Sequence, residues 1–350
     1  MMRSIAATAV AALLAFAAPV QASETLTPAQ AGQVVDALVG SLSSYFDPAK
    51  AARVQAALRA DRDRLSQISD RAALAEALSA VTLGVSGDQH LKVSVATASA
   101  QAPALSDAEQ ALLDQRLAYG LMSVRRLPAN IGYLKLRYFE QTPAGAALID
   151  SAMGMLQHTD ALIIDLRENT GGGGAADERL LGHLARDPIV MAQLRWRRPD
   201  GREEIEQRKV STPETGPLYP DKPLFVLTAK RTFSAAEEFA YDIQANRRGL
   251  LIGTRTRGGG NPSDRPAPPL GFGLTVFVPN GQAAHPLTGK GWEGVGVQPD
   301  VETSPEGALT EAYRRALAVA KPKVSTPRSE KERADAMADP AGALSADQKL

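Results

Sequence analysis

The chain has 350 residues, 44% of them hydrophobic and 5% aromatic, which is enough apolar material for a large folded core. Lys and Arg together number 39, as do Asp and Glu, so the net charge of zero gives no general attraction for nucleic acid or an anionic membrane surface. Cysteine is absent, which excludes disulfides and a thiol nucleophile, so a hydrolase built on this sequence needs an oxygen nucleophile.

The N-terminus predicts a secretory signal peptide over residues 1–22. Arg3 gives a short basic start, residues 6–18 form an apolar run too short to span a bilayer, and residues 20–22 (VQA) have the pattern of a cleavage site before Ser23. We therefore expect an exported protein, periplasmic or secreted, with no stable membrane insertion after signal cleavage. A buried N-terminal helix is the alternative, which the charge order and the cleavage pattern disfavour.

Residues 23–100 predict a small helical subdomain followed by a strand. Thr27, Asp47 and Asp70 are typical N-cap residues, and apolar residues follow each of them at helical spacing. Residues 90–95 (HLKVSV) alternate between apolar and polar, as a half-buried strand does.

Residues 101–320 predict an α/β core. Apolar strand patterns at residues 131–136, 161–166 and 223–228 alternate with helical patterns. This alternation predicts a mostly parallel sheet with helices on both faces. Residues 321–350 are polar and contain proline, so we expect a mobile tail.

Two of these strands end in residues suited to catalysis. The strand at 223–228 is followed by Ser234 at the start of a helix, where a hydroxyl can lie beside backbone N–H groups. The strand at 161–166 leads into residues 165–174 (DLRENTGGGG), whose glycines let backbone N–H groups approach a ligand. No Lys-Ser or Lys-Thr follows, so an oxyanion-binding turn fits better than a phosphate loop. Ser234 and Glu237 also have the spacing of a capping box, and a purely structural role is the alternative for both.

Three motifs carry a family resemblance: residues 165–173 (DLRENTGGG), 230–239 (KRTFSAAEEF) and 292–300 (WEGVGVQPD). With them the chain resembles the tail-specific, or C-terminal-processing, serine peptidases, and among these the branch similar to the repeats of interphotoreceptor retinoid-binding protein. The resemblance runs from about residue 26 to residue 320 and implies a ClpP/crotonase-like α/β core behind the helical subdomain. Residues 90–131 are too few for the PDZ domain that many relatives carry there.

The resemblance also implies a set of site residues. Ser234 matches the nucleophile of the family, and Gly171, Gly172 and Ala235 match the groups that build its oxyanion hole. Many relatives use a lysine as the base, in the turn after the next strand. Gly259 stands at that position here, so a Ser-Lys dyad is not expected.

Tricorn-type relatives imply a different base. His90 lies at their histidine and Glu293 at their glutamate, so we expect His90 to take the serine proton and Glu293 to orient the imidazole. Three further residues are candidates for a supporting role. Glu237 could orient the site, Asn261 stands where the retinoid-binding-like branch often has a histidine, and His285 is an alternative base.

The predicted function is an exported serine endopeptidase that hydrolyses polypeptide substrates through an acyl-enzyme. A catalytically inactive family member that binds a peptide or a hydrophobic small molecule is the alternative, favoured by the missing lysine. An acyl-thioester enzyme of crotonase shape, which would not need Ser234, is a third hypothesis. The sequence has no metal-ligand motif, so we expect neither a metal nor a cofactor, and the oligomeric state is not predicted.

Overall fold

The computed structural model describes residues 25–95, 105–214, 216 and 218–347; the predicted signal peptide lies outside them. The helices in this part of the chain are α1 (Pro28–Ser41), α2 (Pro48–Ala60), α3 (Arg62–Ser66), α4 (Arg71–Ser86), α5 (Asp107–Arg116), α6 (Pro143–Leu156), α7 (Ala175–Leu184), α8 (Ala235–Ala245), α9 (Ala308–Val319), α10 (Pro327–Ala338) and α11 (Pro340–Asp347). The strands are β1 (Lys92–Val95), β2 (Leu121–Leu127), β3 (Ile131–Leu136), β4 (Ala161–Asp165), β5 (Ile189–Val190), β6 (Gln193–Arg197), β7 (Glu203–Glu206), β8 (Lys209–Val210), β9 (Leu224–Thr228), β10 (Leu250–Gly253), β11 (Pro269–Gly271), β12 (Leu274–Phe277), β13 (Gly281–Ala284) and β14 (Val301–Glu302).

The largest sheet has six strands in the order β14-β10-β9-β4-β3-β2. Its neighbours pair in parallel except for the edge strand β2, which runs antiparallel to β3. The predicted parallel sheet is therefore present. Across the described ranges, no helix combines the length and the apolar character needed to cross a membrane.

The central strands are buried on both faces because helices cover both. On β4, Leu162 and Ile164 belong to one core with side chains of α6, α7 and α8, whereas Ile163 belongs to a second core with Tyr313 of α9. This alternation follows from the two-residue period of a strand. Burying each large apolar side chain stabilises the fold by about 1.5–3 kcal/mol relative to exposing it.

The N-terminal helices α1–α4 form a third core, and this core extends beyond the predicted subdomain. Leu38, Leu58 and Leu78 pack in it together with Leu274 and Val276 of β12, which pairs antiparallel with β1. The predicted domain boundary at residue 100 therefore does not coincide with a boundary between cores, because this third core contains residues from both sides of it. Apolar periodicity alone could not reveal this, because β12 lies far from β1 in sequence.

Strand β1 is held from both sides. One edge pairs with β12, and the other is covered by α4, where the Ser79 hydroxyl both accepts from the Val93 N–H (3.0 Å) and donates to the Val93 carbonyl (3.1 Å). The Thr82 hydroxyl donates to the Leu91 carbonyl at 2.8 Å. These contacts fix the segment that leads into β1, which includes His90.

The segment predicted to be a mobile tail instead forms α10 and α11. Thr326 caps α10, and the Arg333 guanidinium donates to the Leu317 carbonyl of α9 at 2.5 Å. Ala336 and Leu344 are buried in the core that contains α9. The prediction failed because it rested on polar composition, whereas a few apolar side chains on two short helices are sufficient for docking.

Candidate active site

Three turns meet at the carboxyl edge of the large sheet. Strands β4, β9 and β10 are parallel neighbours, so their carboxyl ends reach the same edge. The glycine-rich turn, residues 166–174, follows β4; Ser234 follows β9; and the turn of residues 256–261 follows β10. The topology alone therefore brings these three segments together.

The first two turns are hydrogen-bonded to each other. The Phe233 N–H donates to the Asn169 carbonyl at 3.1 Å, and the Thr232 hydroxyl donates to the Leu166 carbonyl at 2.8 Å. Within the glycine turn, the Asn169 side-chain oxygen accepts from the Gly171 N–H at 2.9 Å. These bonds fix Ser234 relative to the glycine turn before any substrate is present.

Ser234 has a backbone conformation that side-chain-bearing residues rarely adopt. Its φ of 57° and ψ of −127° turn the chain sharply between β9 and α8. A Cβ added to Gly171 would lie 2.7 Å from the Ser234 Cβ, so only glycine permits this approach. Strain of this kind is typical of a nucleophile at a strand-to-helix turn.

Glu237 braces the serine turn against the turn after β10. One carboxylate oxygen accepts from the N–H groups of Ser234 (2.9 Å) and Gly259 (2.7 Å), and the other from the Thr256 hydroxyl (2.5 Å) and the Gly258 N–H (2.6 Å). Burial raises the pKa of Glu237 above its ordinary value. The capping contact between the Ser234 N–H and Glu237, which is the structural alternative predicted from the sequence, is therefore present. The Ser234 hydroxyl makes a separate contact, with His90.

His90 lies next to the serine. Its Nε2 is 3.1 Å from the Ser234 Oγ, and its ring packs against Phe233 and Phe277 with centroid distances of 4.4 and 5.5 Å. Burial lowers the pKa of His90 to about 4; the charge of Asp88 opposes this shift, and that of Arg257 adds to it. The imidazole is therefore neutral at physiological pH, as a general base must be.

Glu293 is close to His90 but does not bond to its ring. One of its oxygens accepts from the Gln89 N–H (2.9 Å), and the other from the N–H groups of Gly260 (2.6 Å) and Asn261 (3.0 Å). The buried His90 Nδ1 has no hydrogen-bond partner among the described residues. Glu293 thus fastens the segment before His90 to the turn after β10.

Asp88 is a site residue that was not among the candidates predicted from the sequence. One carboxylate oxygen accepts from the N–H groups of His90 (2.8 Å) and Leu91 (3.2 Å), and the other from the Tyr45 hydroxyl and the Asn261 side-chain amide, both at 2.8 Å. The signal that could have found it is an Asp two residues before His90, the spacing of an Asx turn. Asn261, a predicted supporting residue, connects this carboxylate to Glu293.

Asp88, His90 and Glu293 form a compact cluster, in which a ring nitrogen and one oxygen of each carboxyl group lie within 4.8 Å of one another. Such a set could ligate a metal, but the oxygens of both carboxylates already accept hydrogen bonds from surrounding donors. Burial and the charge of Asp88 raise the pKa of Glu293 to about 7. The negative charge of Asp88 thus opposes the ionisation of Glu293.

Two of the three predicted oxyanion donors have free N–H groups. Within the described ranges, the N–H groups of Gly172 and Ala235 donate to no protein acceptor, and both residues line the cleft beside Ser234. The prediction of the third donor is corrected, because the Gly171 N–H already donates to the side-chain oxygen of Asn169.

The cleft over these groups has a volume of about 270 Å³. Gly259 lines it, and a Cβ at this position would lie 2.1 Å from the Phe233 ring and 2.6 Å from Cε1 of His90. The imidazole thus occupies the space that a side chain at position 259 would need. A lysine at position 259, where many relatives have one, would therefore clash with the His90 ring as it lies here.

His285, predicted as an alternative base, lies outside the site. Its Nε2 donates to the Val190 carbonyl at 3.0 Å, and its Nδ1 accepts from the Leu287 N–H at 3.2 Å. It is fully buried and does not line the cleft. Both ring nitrogens are engaged in holding loops, so the prediction of a supporting role at the serine is wrong.

Known proteins resemble the chain in both sequence and structure. The family model described as Peptidase family S41 matches residues 130–303. The carboxyl-terminal-processing peptidase 3, chloroplastic, of Arabidopsis thaliana is 31% identical over 183 residues, which are 50% of this chain and 32% of that protein. The match thus covers about a third of the relative's length.

Among solved structures, one from Parabacteroides merdae ATCC 43184, described as a candidate peptidase, has a TM-score of 0.53 at 17% identity, covering 80% of this chain and 90% of that one. The photosystem II D1 C-terminal processing protease has a TM-score of 0.49 at 16% identity, covering 79% and 94%.

The similarity to the Parabacteroides merdae structure confirms the predicted fold class, a mixed α/β chain with a ClpP-like core. The retinoid-binding-like branch and the lack of a PDZ domain stay predictions, the latter because residues 96–104 lie outside the described ranges. The three co-linear motifs, the family model and the relative from Arabidopsis thaliana agree, and the chain belongs to peptidase family S41.

Proposed function

We propose that this chain is a serine endopeptidase that cleaves polypeptide substrates, with Ser234 as nucleophile and His90 as general base. The observation that carries the proposal is the distance of 3.1 Å between the His90 Nε2 and the Ser234 Oγ. This is hydrogen-bond reach for proton transfer, and it joins a neutral imidazole to a serine on a strained turn.

The reaction follows from these positions. His90 Nε2 takes the hydroxyl proton while the Ser234 Oγ bonds to the carbonyl carbon of the substrate, and the carbonyl oxygen gains negative charge. The N–H groups of Gly172 and Ala235 stabilise that charge. The imidazolium then returns its proton to the leaving amine as the peptide C–N bond breaks. Water, activated by the same imidazole, hydrolyses the acyl-enzyme and regenerates Ser234.

The carboxyl pair of Asp88 and Glu293 supports the second half of the proton transfer. When Nε2 takes the proton, His90 becomes positively charged and its Nδ1–H needs an acceptor. One oxygen of each carboxyl group lies within 4.8 Å of a ring nitrogen of His90, close enough for negative charge there to stabilise the imidazolium. This role is broader than the one expected of Glu293 alone.

We further propose that the protein is exported, because residues 1–22 have the charge order and cleavage pattern of a signal peptide. Independently of export, we propose that the N-terminal helical cluster is a subdomain that holds His90 against the sheet edge carrying Ser234. The more specific activity that we propose is C-terminal processing, which is the activity in the name of the Arabidopsis relative.

Fluorophosphonate labelling read by intact mass tests the proposal. One adduct is expected on the mature protein and none on Ser234→Ala or His90→Ala. His158→Ala, which alters an exposed histidine, is the matched control and should label like the parent. Absence of an adduct on folded parent protein contradicts the proposal.

That negative outcome would favour a non-catalytic binder of a peptide or a hydrophobic small molecule. One observation supports this second candidate: among the residues that the structure describes, none gives the His90 Nδ1 the orienting partner that an active serine peptidase usually provides.

A further inference from the structure

A second set of charged residues lines the same cleft, at a distance from His90 in sequence. Asp177 comes from the first turn of α7, Glu238 from the first turn of α8, and Arg208 from the segment between β7 and β8. The peptidase reaction described above uses none of them. Three charged groups in a cleft of about 270 Å³ call for a physical reason.

Arg208 and Glu238 neutralise each other. The Arg208 Nη2 contacts the Glu238 Oε1 and also donates to the Ala192 carbonyl at 3.2 Å. Their side chains are 18% and 13% exposed, so water screens this pair little. The Nη2 atom is therefore engaged, whereas the buried Nε has no hydrogen-bond partner among the described residues, and Glu238 balances the charge of the guanidinium.

Asp177 is different, because it is buried without a full set of partners. The residue is 4% exposed, and its Oδ1 has no hydrogen-bond partner in the part of the chain that the structure describes. Burial, with the charge of Glu178 beside it, raises the pKa of Asp177 to about 7. A buried carboxylate oxygen without a donor is unfavourable, and a ligand that supplies a donor relieves this cost.

The surroundings of Asp177 contain more acid than base. Asp242 of α8 is fully buried, and its Oδ2 has no hydrogen-bond partner in the described ranges. Burial raises its pKa and the charge of Asp177 adds to this, although Arg208 and the Ala192 N–H act in the opposite direction. With Arg208 paired to Glu238, the remaining charge of this region is negative or zero. The group that would complement the unpartnered carboxyl oxygen of Asp177 is therefore a hydrogen-bond donor with positive charge.

Asp177 is also close to the reacting bond. A Cβ at Gly173 would lie 3.3 Å from the Ala235 Cβ and 4.0 Å from the Asp177 Oδ2, so a single glycine separates that carboxyl group from the oxyanion donors. A side chain of the residue next to the scissile bond can span this distance, since Lys and Arg side chains extend for four or more bonds.

From these contacts we infer that Asp177 determines specificity by binding a cationic group of the substrate, an ammonium or a guanidinium, next to the scissile bond. The inference rests on the proposed function, because it takes Ser234 as the point of attack. The cation would reach the cleft either on a Lys or Arg side chain or as the free N-terminus of a short peptide.

Matched fluorogenic peptides test this inference. They carry Lys, norleucine or Glu at each residue flanking the scissile bond, and each is made with a free and an acetylated N-terminus. We expect kcat/KM for Lys to exceed that for norleucine by about tenfold or more, the range for a charge-assisted hydrogen bond. A preference that disappears on acetylation assigns the cation to the N-terminus; one that survives assigns it to the side chain.

Variants identify the residue responsible. Asp177→Asn, an isosteric change, should bring the ratio of kcat/KM for Lys over norleucine to about one. Glu178→Gln removes a carboxylate from the same turn but not from the cleft lining. It should keep the preference for Lys, and can strengthen it, because the charge that raises the pKa of Asp177 is gone. Equal rates for Lys and norleucine in the parent, or a ratio that Asp177→Asn leaves unchanged, would overturn the inference.

A binding measurement separates this inference from the proposed function. In Ser234→Ala protein the same peptides, labelled for fluorescence anisotropy, should bind more tightly with Lys than with norleucine, and a further Asp177→Asn change should remove the difference. If the parent takes no fluorophosphonate yet this preference persists, the peptidase proposal fails while the cation site stands. Equal affinities for both peptides refute the site regardless of catalysis.

Discussion

The two halves of the site are built in different ways. The serine half consists of turns at the ends of adjacent parallel strands, joined by short bonds such as Phe233 N–H to the Asn169 carbonyl and Ser234 N–H to Glu237. The histidine half arrives on the N-terminal cluster, which has its own core, and His90 keeps an unpartnered Nδ1.

The sheet positions the nucleophile and the oxyanion donors, whereas docking of the N-terminal cluster positions the base. A parallel sheet brings strand ends to one edge by topology, so the nucleophile and the oxyanion donors need no further partner. The base depends on how the cluster sits against that edge, through contacts such as the one between Glu293 and the Gln89 N–H. Changes to the histidine half should therefore alter proton transfer more than they alter the fold.

The strongest way to break the connection between the halves is to remove the base. His90→Ala should lower kcat/KM for a fluorogenic peptide by about 10³-fold or more, because the serine loses its proton acceptor. The thermal unfolding temperature should fall only modestly, because the lost packing against the Phe233 and Phe277 rings lies at the edge of the cleft. His158→Ala should stay within about twofold of the parent; a small loss in His90→Ala would assign proton transfer to another group.

Crowding the space between the halves should have the next largest effect. Gly259→Ala places a Cβ against the His90 and Phe233 rings and should cost about 10²-fold in kcat/KM by displacing the imidazole. Gly84→Ala, in α4 with nothing within 4 Å of the added carbon, is the matched control. It should retain activity and raise the unfolding free energy by up to about 1 kcal/mol. Equal activities of the two variants would contradict this reading.

Glu293→Gln tests the fastening between the halves. The amide NH₂ would face backbone donors that the carboxylate now accepts, so we expect a loss of about 1–3 kcal/mol in unfolding free energy together with lower activity. Glu306→Gln, on an exposed carboxylate, should change stability by less than about 0.5 kcal/mol. Chemical denaturation of both variants gives the comparison, and a stable but inactive Glu293→Gln would point to an electrostatic role alone.

The smallest effect concerns pH. Because the pKa of Glu293 is raised to about 7 by burial and by Asp88, kcat/KM should rise with pH through that region as Glu293 ionises. In Asp88→Asn the charge that raises this pKa is gone, so the acidic limb should move to lower pH. A limb near pH 4 in both proteins would instead report His90 alone.

Much of the serine half could be predicted from sequence because its causes are local. Apolar strand patterns located β4 and β9, and the residues directly after them form the turns that hold Gly172 and Ser234. The family resemblance supplied His90 as a candidate; its Nε2 lies 3.1 Å from the Ser234 Oγ, and its role as the base stays a proposal.

The histidine half could be predicted only in part, because its contacts join distant segments. The bond from Gln89 to Glu293 spans 204 residues, and the one from Asn261 to Asp88 spans 173. No periodicity or motif spacing reports which oxygen a backbone N–H reaches across such gaps. The same reason explains why His285 was retained as a candidate and why Asp88 was missed.

The contact between His90 and Ser234 closes a loop of 144 residues. Contacts of such long range form late in folding, because the chain entropy lost in closing the loop is recovered only when large surfaces have come together. A chain whose sheet has formed but whose N-terminal cluster has not docked holds a serine without a base. Newly made copies of this protein should thus be unable to cleave one another until folding is complete.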